Sequence, residues 1–369
     1  DVLAAKEEEN PAAIVRAGGI KHLIGVVTGG TDGGQIHAAS VLATVAGKSK
    51  EFLKAVVAEG AVVPLVKLLS GGSQKAQVYA AAAVASIATE PEQKSFIIKA
   101  GALPSLVRLV KADVASDGQI YASEAIANLS HQNIEAQNAL HGAGAIPLLL
   151  KLLESGKAQV SAAHALGKLM SPASDKNHNP PDITPSNVTS QEAIATEGGI
   201  PLLLALLNGM NVLGTVHAAS ALSNLARGNE ASQNQIVAAG GIGSLLQMLG
   251  SRSPQAQAQA ASALAQLARF NRENQDKIAS WGGMTPLVGL LASNNSLEVQ
   301  EYAALAITEL CRSNYENQTS AAEMGSISSL VEQLRGTKES SEMDAVKAEA
   351  AGAIWVLSES HENNKLAIE

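Results

Sequence analysis

Residues 198–226 read GGIPLLLALLNGMNVLGTVHAASALSNLA, and shifted copies of this stretch recur from one end of the chain to the other. Each copy opens with glycine, continues with a Leu-rich segment, turns through a short polar loop and closes with an Ala-rich segment. Both apolar segments are predicted to be helices, and the polar loop between them is predicted to be a turn. The fold is therefore predicted from one repeated unit.

The opening glycines recur at a nearly fixed interval. Their successive separations are 41, 41, 43, 55, 42, 42 and 42 residues, for Gly19, Gly60, Gly101, Gly144, Gly199, Gly241, Gly283 and Gly325. A fixed period in this range is typical of HEAT and armadillo arrays. Proline starts five of the Leu-rich segments, where its missing N–H needs no partner. These prolines are Pro64, Pro104, Pro147, Pro201 and Pro286.

Each copy is predicted to contain three helices. A short first helix ends at the glycine, which permits a sharp turn. The second helix carries the Leu-rich run and the third carries the Ala-rich run. Eight third helices are complete, and their Ala-rich runs begin at His37, Tyr79, Tyr121, Ser161, His217, Gln259, Tyr302 and Glu349.

A glycine break between the first two helices, followed by a long Ala-rich helix, is the armadillo arrangement rather than the two-helix HEAT arrangement. The chain therefore resembles the armadillo-repeat family over essentially all of its length. This resemblance implies an all-α fold, a right-handed α-solenoid of about eight three-helix armadillo repeats, with residues 1–369 as a single armadillo-repeat domain. A repeat array can lengthen without enlarging a single hydrophobic core, because each unit packs only on its neighbours.

An insertion interrupts the array after the fourth third helix. It falls in MSPASDKNHNPPDITPSNVTSQ, residues 170–191, which is rich in Pro, Asn, Ser and Asp. Such a segment cannot bury enough apolar surface to order itself, so a disordered or protruding loop is expected. Ser171 and Thr184 each precede a proline and could be phosphorylated by a proline-directed kinase, but a plain loop is the preferred interpretation.

Both ends of the sequence are expected to lie in mid-array. Residues 2–19 align with residues 224–241, so Leu3 corresponds to the end of a preceding third helix. Residues 362–368 resemble a first helix without its glycine. Solenoids need polar caps on their end repeats, and neither end has one. Further repeats or neighbouring chains are therefore expected at both ends.

Composition and motifs argue against several classes of function. The formal charge is −8 and no clustered Lys/Arg patch occurs, so nucleic acid is not an expected partner. No apolar run is long enough for a transmembrane segment. The single cysteine, Cys311, is expected to be a buried small apolar residue in an intracellular, cytoplasmic protein. No catalytic motif or metal-ligand spacing is found, so no catalytic residue, metal site or cofactor is predicted.

The remaining functional surface is predicted from helix geometry. In this family the third helices line a concave groove, and positions separated by three, four and seven residues share one helix face. The asparagine row, aligned on Asn128 and Asn224, is Thr44, Ser86, Asn128, Lys168, Asn224, Gln266, Glu309 and Val356. The candidate partner-binding residues on this face are His37, Tyr79, Tyr121, Glu124, Asn128, His164, Lys168, His217, Ser220, Asn224, Gln266, Tyr302 and Glu309.

Tyr and His side chains are concentrated seven residues before the asparagine row. They are His37, Tyr79, Tyr121, His217 and Tyr302. Rings and amides suit an extended peptide, because amides reach its backbone and rings pack between its side chains. The same rings can instead fill gaps between adjacent third helices with only their polar tips in water. Both interpretations stay open at this point.

The residues of this face differ from two known ligand-binding patterns of the family. Nuclear-import adaptors repeat a Trp and an Asn four residues apart to hold basic peptides, but Glu124 and Ser220 stand where that pattern needs Trp. Neither Trp281 nor Trp355 lies at a matching position. The face also lacks the strong positive charge with which catenin-type members hold acidic partners.

The sequence therefore predicts a non-catalytic scaffold or adaptor that binds an extended peptide or a partner subunit along the concave groove. One alternative is a nuclear-import-like cargo receptor, which binding to lysine-rich peptides would favour. Another is the substrate-recognition part of a larger enzyme such as a ubiquitin ligase, with catalysis elsewhere.

Overall fold

A computed structural model shows a chain that is mainly α-helical, and no strand occurs in the part that it describes. The described residues are 10–112, 116–154, 156–172, 185–336, 340–359 and 361–368. They belong to two compact units, Asp1–Ser190 and Gln191–Glu369, which are termed the N-terminal and C-terminal units. The predicted all-α fold is confirmed.

Three kinds of helix alternate in both units. The first helices are α1 (10–16), α4 (Lys50–Ala58), α7 (Pro91–Lys99), α10 (Ile134–Gly142), α13 (Pro185–Thr196), α16 (Glu230–Ala238), α19 (Arg272–Ser280), α22 (Tyr315–Glu323) and α25 (Glu362–Ile368). The second helices are α2 (Gly19–Gly29), α5 (Val62–Gly71), α8 (Ala102–Lys111), α11 (Ala145–Glu154), α14 (Gly199–Leu207), α17 (Gly241–Leu249), α20 (Met284–Leu290) and α23 (Ser326–Leu334). The third helices are α3 (Asp32–Lys48), α6 (Gln74–Ile87), α9 (Ser116–Ser130), α12 (Gln159–Leu169), α15 (Val212–Ala226), α18 (Pro254–Ala268), α21 (Leu297–Cys311) and α24 (Ser341–Ser358). The predicted three-helix repeat is confirmed.

The turn between first and second helices uses a glycine in the left-handed backbone region. Gly240 has φ 88°, a value that residues with a side chain disfavour. The same region is occupied by Gly18, Gly60, Gly101, Gly144, Gly198, Gly282 and Gly325. In each Gly-Gly pair the first glycine therefore makes the turn, and the register expected from Gly19, Gly199, Gly241 and Gly283 is wrong by one residue. The second glycine serves packing, because a Cβ on Gly241 would collide with Ile236.

Small side chains let the third helices approach one another closely. Within each unit, third helices pack mainly against the third helices of adjacent repeats. Ala260, Ala261 and Leu264 of α18 are fully buried, and burial of one Leu side chain contributes about 1.5–3 kcal/mol. Cys311 is fully buried as predicted, and its burial raises the pKa of its thiol.

A buried glutamine of the first helix, Gln233 in α16, forms hydrogen bonds to two successive repeats. Gln233 Nε2 donates to the carbonyl oxygen of Ala226, at the end of α15, over 3.3 Å. The same amide donates to the carbonyls of Gln266 at 2.8 Å and Arg269 at 3.2 Å, at the end of α18. Its Oε1 accepts from Asn271 Nδ2 at 3.1 Å. One side chain therefore satisfies carbonyls that helix ends leave without an intrahelical donor.

The same arrangement recurs seven residues before five turn glycines. The set, termed the amide ladder, consists of Gln137, Gln191, Gln233, Gln275 and Gln318 with Asn133, Asn187, Asn229, Asn271 and Asn314. The inter-repeat distances from Asn Nδ2 to Gln Oε1 are 3.3 Å for Asn187 to Gln137, 3.5 Å for Asn229 to Gln191 and 3.1 Å for Asn314 to Gln275. In each of these pairs, the asparagine of one repeat donates a hydrogen bond to the glutamine of the preceding repeat.

Four ladder asparagines also set the start of their own helices. Asn229 Oδ1 accepts from the N–H of Ser232 at 2.9 Å, and Asn271 Oδ1 accepts from the N–H of Asn274 at 3.1 Å. Asn133 and Asn314 cap α10 and α22 in the same way. Such N-caps are worth about 1 kcal/mol each.

The amide ladder is replaced by other side chains in the first repeats of the N-terminal unit. Lys94 occupies the glutamine position, and its Nζ donates to the carbonyl of His131 at 2.8 Å. Glu90 occupies the asparagine position, does not cap α7 and instead pairs with Lys50 at 3.4 Å. The repeats at this end are therefore joined by fewer neutral amides.

Part of the loop predicted over residues 170–191 is helical. Residues 185–191 belong to α13, where Asn187 is buried and donates to the carbonyl of Ser171 at 3.2 Å. This ladder asparagine orders the segment despite its polar composition, so the predicted boundary is corrected to residue 184. Ser171 is only 4% exposed and donates to the carbonyl of Lys168 at 2.7 Å, so it is not presented to a kinase. Residues 173–184, with Thr184, lie outside the described residues, and so does Leu3.

Replacing Gln233 with alanine should destabilise the C-terminal unit. The change removes the hydrogen bonds from Gln233 Nε2 to three carbonyls and one of the two acceptors of Asn271 Nδ2, which keeps Asn234 Oδ1, so we expect the free energy of unfolding to fall by about 2–4 kcal/mol. Urea unfolding followed by circular dichroism measures the change. Gln235→Ala, at an exposed position of the same helix, is the control and should change stability by less than about 0.5 kcal/mol. Equal effects of the two variants would contradict a structural role for the amide.

Candidate functional site

In the N-terminal unit, the predicted site residues all lie on third helices but differ in exposure. His37 is exposed. The half-buried residues are Tyr79, Tyr121, Glu124, Asn128, His164 and Lys168. Half-burial of the tyrosines is consistent both with contact to a partner and with packing between helices.

A surface pocket of about 580 Å³ brings part of this set together. Tyr121, Glu124 and Asn128 of α9 line it, together with Thr44 of α3 and Ser86 of α6. Thr44, Ser86 and Asn128 are the first three members of the asparagine row. The row therefore forms a continuous polar lining across three adjacent third helices, with alanines between them.

Two polar groups of this face are already engaged within the protein. Asn128 Nδ2 donates to the carbonyl of Ala85 in α6 at 3.0 Å, which joins adjacent third helices. Glu124 Oε2 lies 2.9 Å from His164 Nδ1 of α12. Because the latter pair spans two repeats, it fixes the carboxylate in one orientation next to the pocket.

Basic groups gather beyond this pair in the same unit. Burial lowers the pKa of Lys168, and burial followed by the charge of Lys168 lowers the pKa of Lys94. The pKa of His131 falls to about 4, first through burial and then through the charges of Lys168, Lys94 and His164. His131 is therefore neutral at physiological pH, which leaves Lys94 and the row member Lys168 as the basic groups of this cluster.

In the C-terminal unit, the structure corrects two of the predicted site residues. His217, Ser220, Asn224 and Tyr302 are half-buried. Gln266 and Glu309 are only 2% and 3% exposed, so the structure does not present them to a partner. Helices α15 and α21 pack against α18, which carries Gln266, while Glu309 pairs with Arg312 at 3.1 Å.

Arginines that were not among the predicted site residues lie three residues after the asparagine row. They are Arg227, Arg269 and Arg312, which end α15, α18 and α21. Their signal in the sequence is the recurrence of LAR, LAR and LCR at the ends of three successive Ala-rich runs. Three arginines thus occupy the same position in adjacent repeats.

Carboxylates face these arginines from α21 and α24. Burial raises the pKa of Glu301 to about 7, with further contributions from Glu349 and Glu298. Burial also raises the pKa of Glu349, as does Glu309, while Arg269 and Arg312 lower it. The C-terminal unit therefore carries mixed charge on this face.

Neither a metal centre nor a membrane-spanning helix occurs in the described part of the chain. No group of three or more His, Cys, Asp or Glu side chains in the described ranges could hold a metal ion. In the same ranges, no helix is long and apolar enough to cross a membrane. The polar and ring-bearing surface of the third helices is the feature that the structure offers for binding.

Comparison with protein families and curated proteins gives one match. The sequence model described as Armadillo/beta-catenin-like repeat matches residues 90–131 and 190–227. No curated protein matches the chain.

Solved structures of engineered proteins are similar to this chain. One, determined by the Northeast Structural Genomics Consortium, is 32% identical over 95% of this chain and 80% of that chain, with a TM-score of 0.74. A second from the same consortium is 32% identical over 67% of this chain and 96% of its own, with a TM-score of 0.57. A designed armadillo repeat protein is 26% identical over 67% of this chain and 99% of its own, also with a TM-score of 0.57.

The double variant Tyr121→Ala, His217→Ala distinguishes partner contact from packing. If the rings contact a partner, the variant should retain its helicity and lose about tenfold in affinity for chains that co-purify with the protein from its source. Circular dichroism measures helicity, and quantitative pull-down measures retention. A large loss of helicity with unchanged retention would support packing instead.

Glu301→Gln tests the buried carboxylates through the pH dependence of stability. The folded-state pKa of Glu301, about 7, lies above its unfolded value, so its contribution to stability is fully present below about pH 4.5 and is lost as pH rises through 7. Glutamine cannot ionise, and the variant should therefore be more stable than the parent at pH 8, by about 1 kcal/mol after discounting for solvent screening. Urea unfolding at pH 5 and pH 8 measures this difference. A variant with an unchanged pH profile would contradict the burial of this charge.

Proposed function

Because the chain belongs to the armadillo-repeat family, we propose that it is a non-catalytic scaffold that binds an extended peptide or a partner subunit along its third helices. Armadillo repeats typically serve as protein-binding scaffolds. The observation that carries the proposal is the pocket of about 580 Å³ lined by Thr44, Ser86 and Asn128, the same row of three adjacent repeats.

The chemistry of this pocket suits a polypeptide in extended conformation. An extended chain presents unpaired N–H and C=O groups that need hydrogen-bond partners once water is removed. Thr44 Oγ1 and Ser86 Oγ donate within their own helices, to the carbonyls of Ser40 at 3.0 Å and Ala82 at 3.2 Å. Their oxygens and Asn128 Oδ1 can accept hydrogen bonds from the N–H groups of a bound backbone. Alanines between these side chains, such as Ala82, leave room for a backbone to approach. Tyr121, which also lines the pocket, adds an apolar surface with a polar tip.

We propose a cytoplasmic location for the protein. A single cysteine that is buried and reduced is consistent with a reducing compartment. Protein partners, rather than a cofactor, are the ligands that this surface fits. The bound chain would contribute its backbone to the row and its side chains to the spaces between Tyr79 and Tyr121.

Photo-crosslinking from Tyr79, seven residues before the row member Ser86, tests the proposal directly. Tyr79 is replaced by the photoreactive residue p-benzoylphenylalanine, and the protein is irradiated in an extract of its source. We expect specific partner chains to be captured and identified by mass spectrometry. The same residue at Lys67, an exposed position on the second helix α5, is the control and should capture few or none of them. Equal capture at both positions would contradict binding along the third helices.

A further inference from the structure

The turn between α14 and α15 carries an exposed apolar residue that equivalent turns lack. Met210, which stands directly before the cap of α15, is fully exposed, and the next apolar residues, Val212 and Leu213, are each more than half exposed. Four other second-to-third turns have glycine or a polar residue before the cap, namely Gly30, Gly72, Arg252 and Asn295. A contiguous exposed apolar surface on a soluble protein calls for a physical explanation.

The side chain of Met210 does not hold this turn in place. Asn211 caps α15, because its Oδ1 accepts from the N–H of Gly214 at 2.9 Å. An apolar residue before a cap often packs on the fourth residue of the helix, which here is Thr215. Thr215 Oγ1 donates instead to the carbonyl of Val212 at 2.8 Å, and Met210 remains in solvent. The thioether of Met210 can therefore change chemically without loss of the turn.

Met210 also has the most accessible sulfur of the chain, which contains six methionines and one cysteine. Met324 is 44% exposed, and its Sδ accepts from Thr285 Oγ1 at 3.7 Å. The four remaining methionines are buried, with exposures of 8% or less, and are Met170, Met248, Met284 and Met343. Because an oxidant must reach the sulfur, these methionines are shielded to different degrees.

The single cysteine does not compete with the methionines for an oxidant. Cys311 is fully buried, and this burial raises the pKa of its thiol, so the thiol stays protonated. The thiolate is the form of cysteine that reacts with peroxides. Oxidation of the folded chain is therefore directed to an exposed thioether.

We propose that Met210 is a reversible oxidation site that responds to hydrogen peroxide. The sulfur of Met210 takes one oxygen atom from the peroxide, so that an S–O bond forms as the O–O bond breaks and the second oxygen leaves as water. Sulfur loses the two electrons that the peroxide gains. The product is methionine sulfoxide, which sulfoxide reductases return to the thioether with electrons from two thiols, releasing the oxygen as water.

This reaction changes the polarity of an exposed surface and leaves the core intact. A sulfoxide is polar and accepts hydrogen bonds, whereas the thioether is apolar. One oxygen atom thus makes the tip of the α14–α15 turn polar. The inference goes beyond the proposed scaffold function and does not rest on it, because Met210 is not part of a third helix.

Competition among the methionines of the full chain tests the site. The folded protein is treated with hydrogen peroxide, and its tryptic peptides are followed by mass spectrometry. A Lys or Arg lies between each pair of successive methionines, so every methionine falls in a different peptide. We expect Met210 to be oxidised about tenfold faster than Met248. Met248 is the matched control, because it is buried but lines the same surface pocket of about 230 Å³ as Met210.

Met210→Leu and Met210→Gln separate the chemical step from its effect on the surface. Leucine keeps the turn apolar and cannot be oxidised in this way, whereas glutamine supplies a polar group without oxidation. We expect peroxide to shorten the retention of the parent on a hydrophobic-interaction column and to leave Met210→Leu unchanged, while Met210→Gln elutes early without treatment. Reductases for both sulfoxide epimers should restore the retention of the parent. Circular dichroism should be the same for all three proteins.

The inference is overturned if Met248 or Met324 is oxidised as fast as Met210, if retention does not change when Met210 is oxidised, or if the reductases do not restore it. Oxidation of all six methionines together with loss of helicity would also contradict it, because peroxide would then act on the unfolded chain. These outcomes are independent of crosslinking at Tyr79, which tests the scaffold function.

Discussion

The side-chain amide of a glutamine, present in five of the repeats, is the interaction on which the stacking of those repeats depends. Helix ends leave backbone carbonyls without donors, and a stack of short helices has many such ends. Gln233 and Gln275 each bring one amide to the carbonyls of two successive third helices. Alanine-rich faces supply close packing but little direction, whereas these hydrogen bonds set the distance and the order of neighbouring repeats.

The position of the third helices determines what the protein can present to a partner. Because the repeats stack at a fixed offset, residues at one helix position, such as Thr44, Ser86 and Asn128, become neighbours. The pocket that they line lies where the amide ladder is replaced, and its lining includes Leu53 and Glu90 at ladder positions. In the C-terminal unit, where the ladder runs through α16, α19 and α22, the row residues Gln266 and Glu309 are buried, whereas Asn224 is half-buried.

The repeated pattern of the sequence was sufficient to predict the three-helix repeat, the buried alanines and Cys311. It could not show which polar residues are buried, because the partner of such a residue lies in another repeat. Gln266 and Gln233 both look like surface residues in the sequence, yet both are buried by helices of adjacent repeats. The helical residues 185–191 were missed for the same reason, since Asn187 is ordered by groups of the preceding repeat.

A double-mutant cycle on Gln275 and Asn314 tests the account most directly. The two amides lie 3.1 Å apart in adjacent repeats, and Asn314 also caps its own helix. Urea unfolding of Gln275→Ala, Asn314→Ala and the double variant separates the inter-repeat term from that cap. The account predicts a favourable coupling of about 1 kcal/mol or more. A coupling indistinguishable from zero would show that the repeats are held together by apolar packing alone.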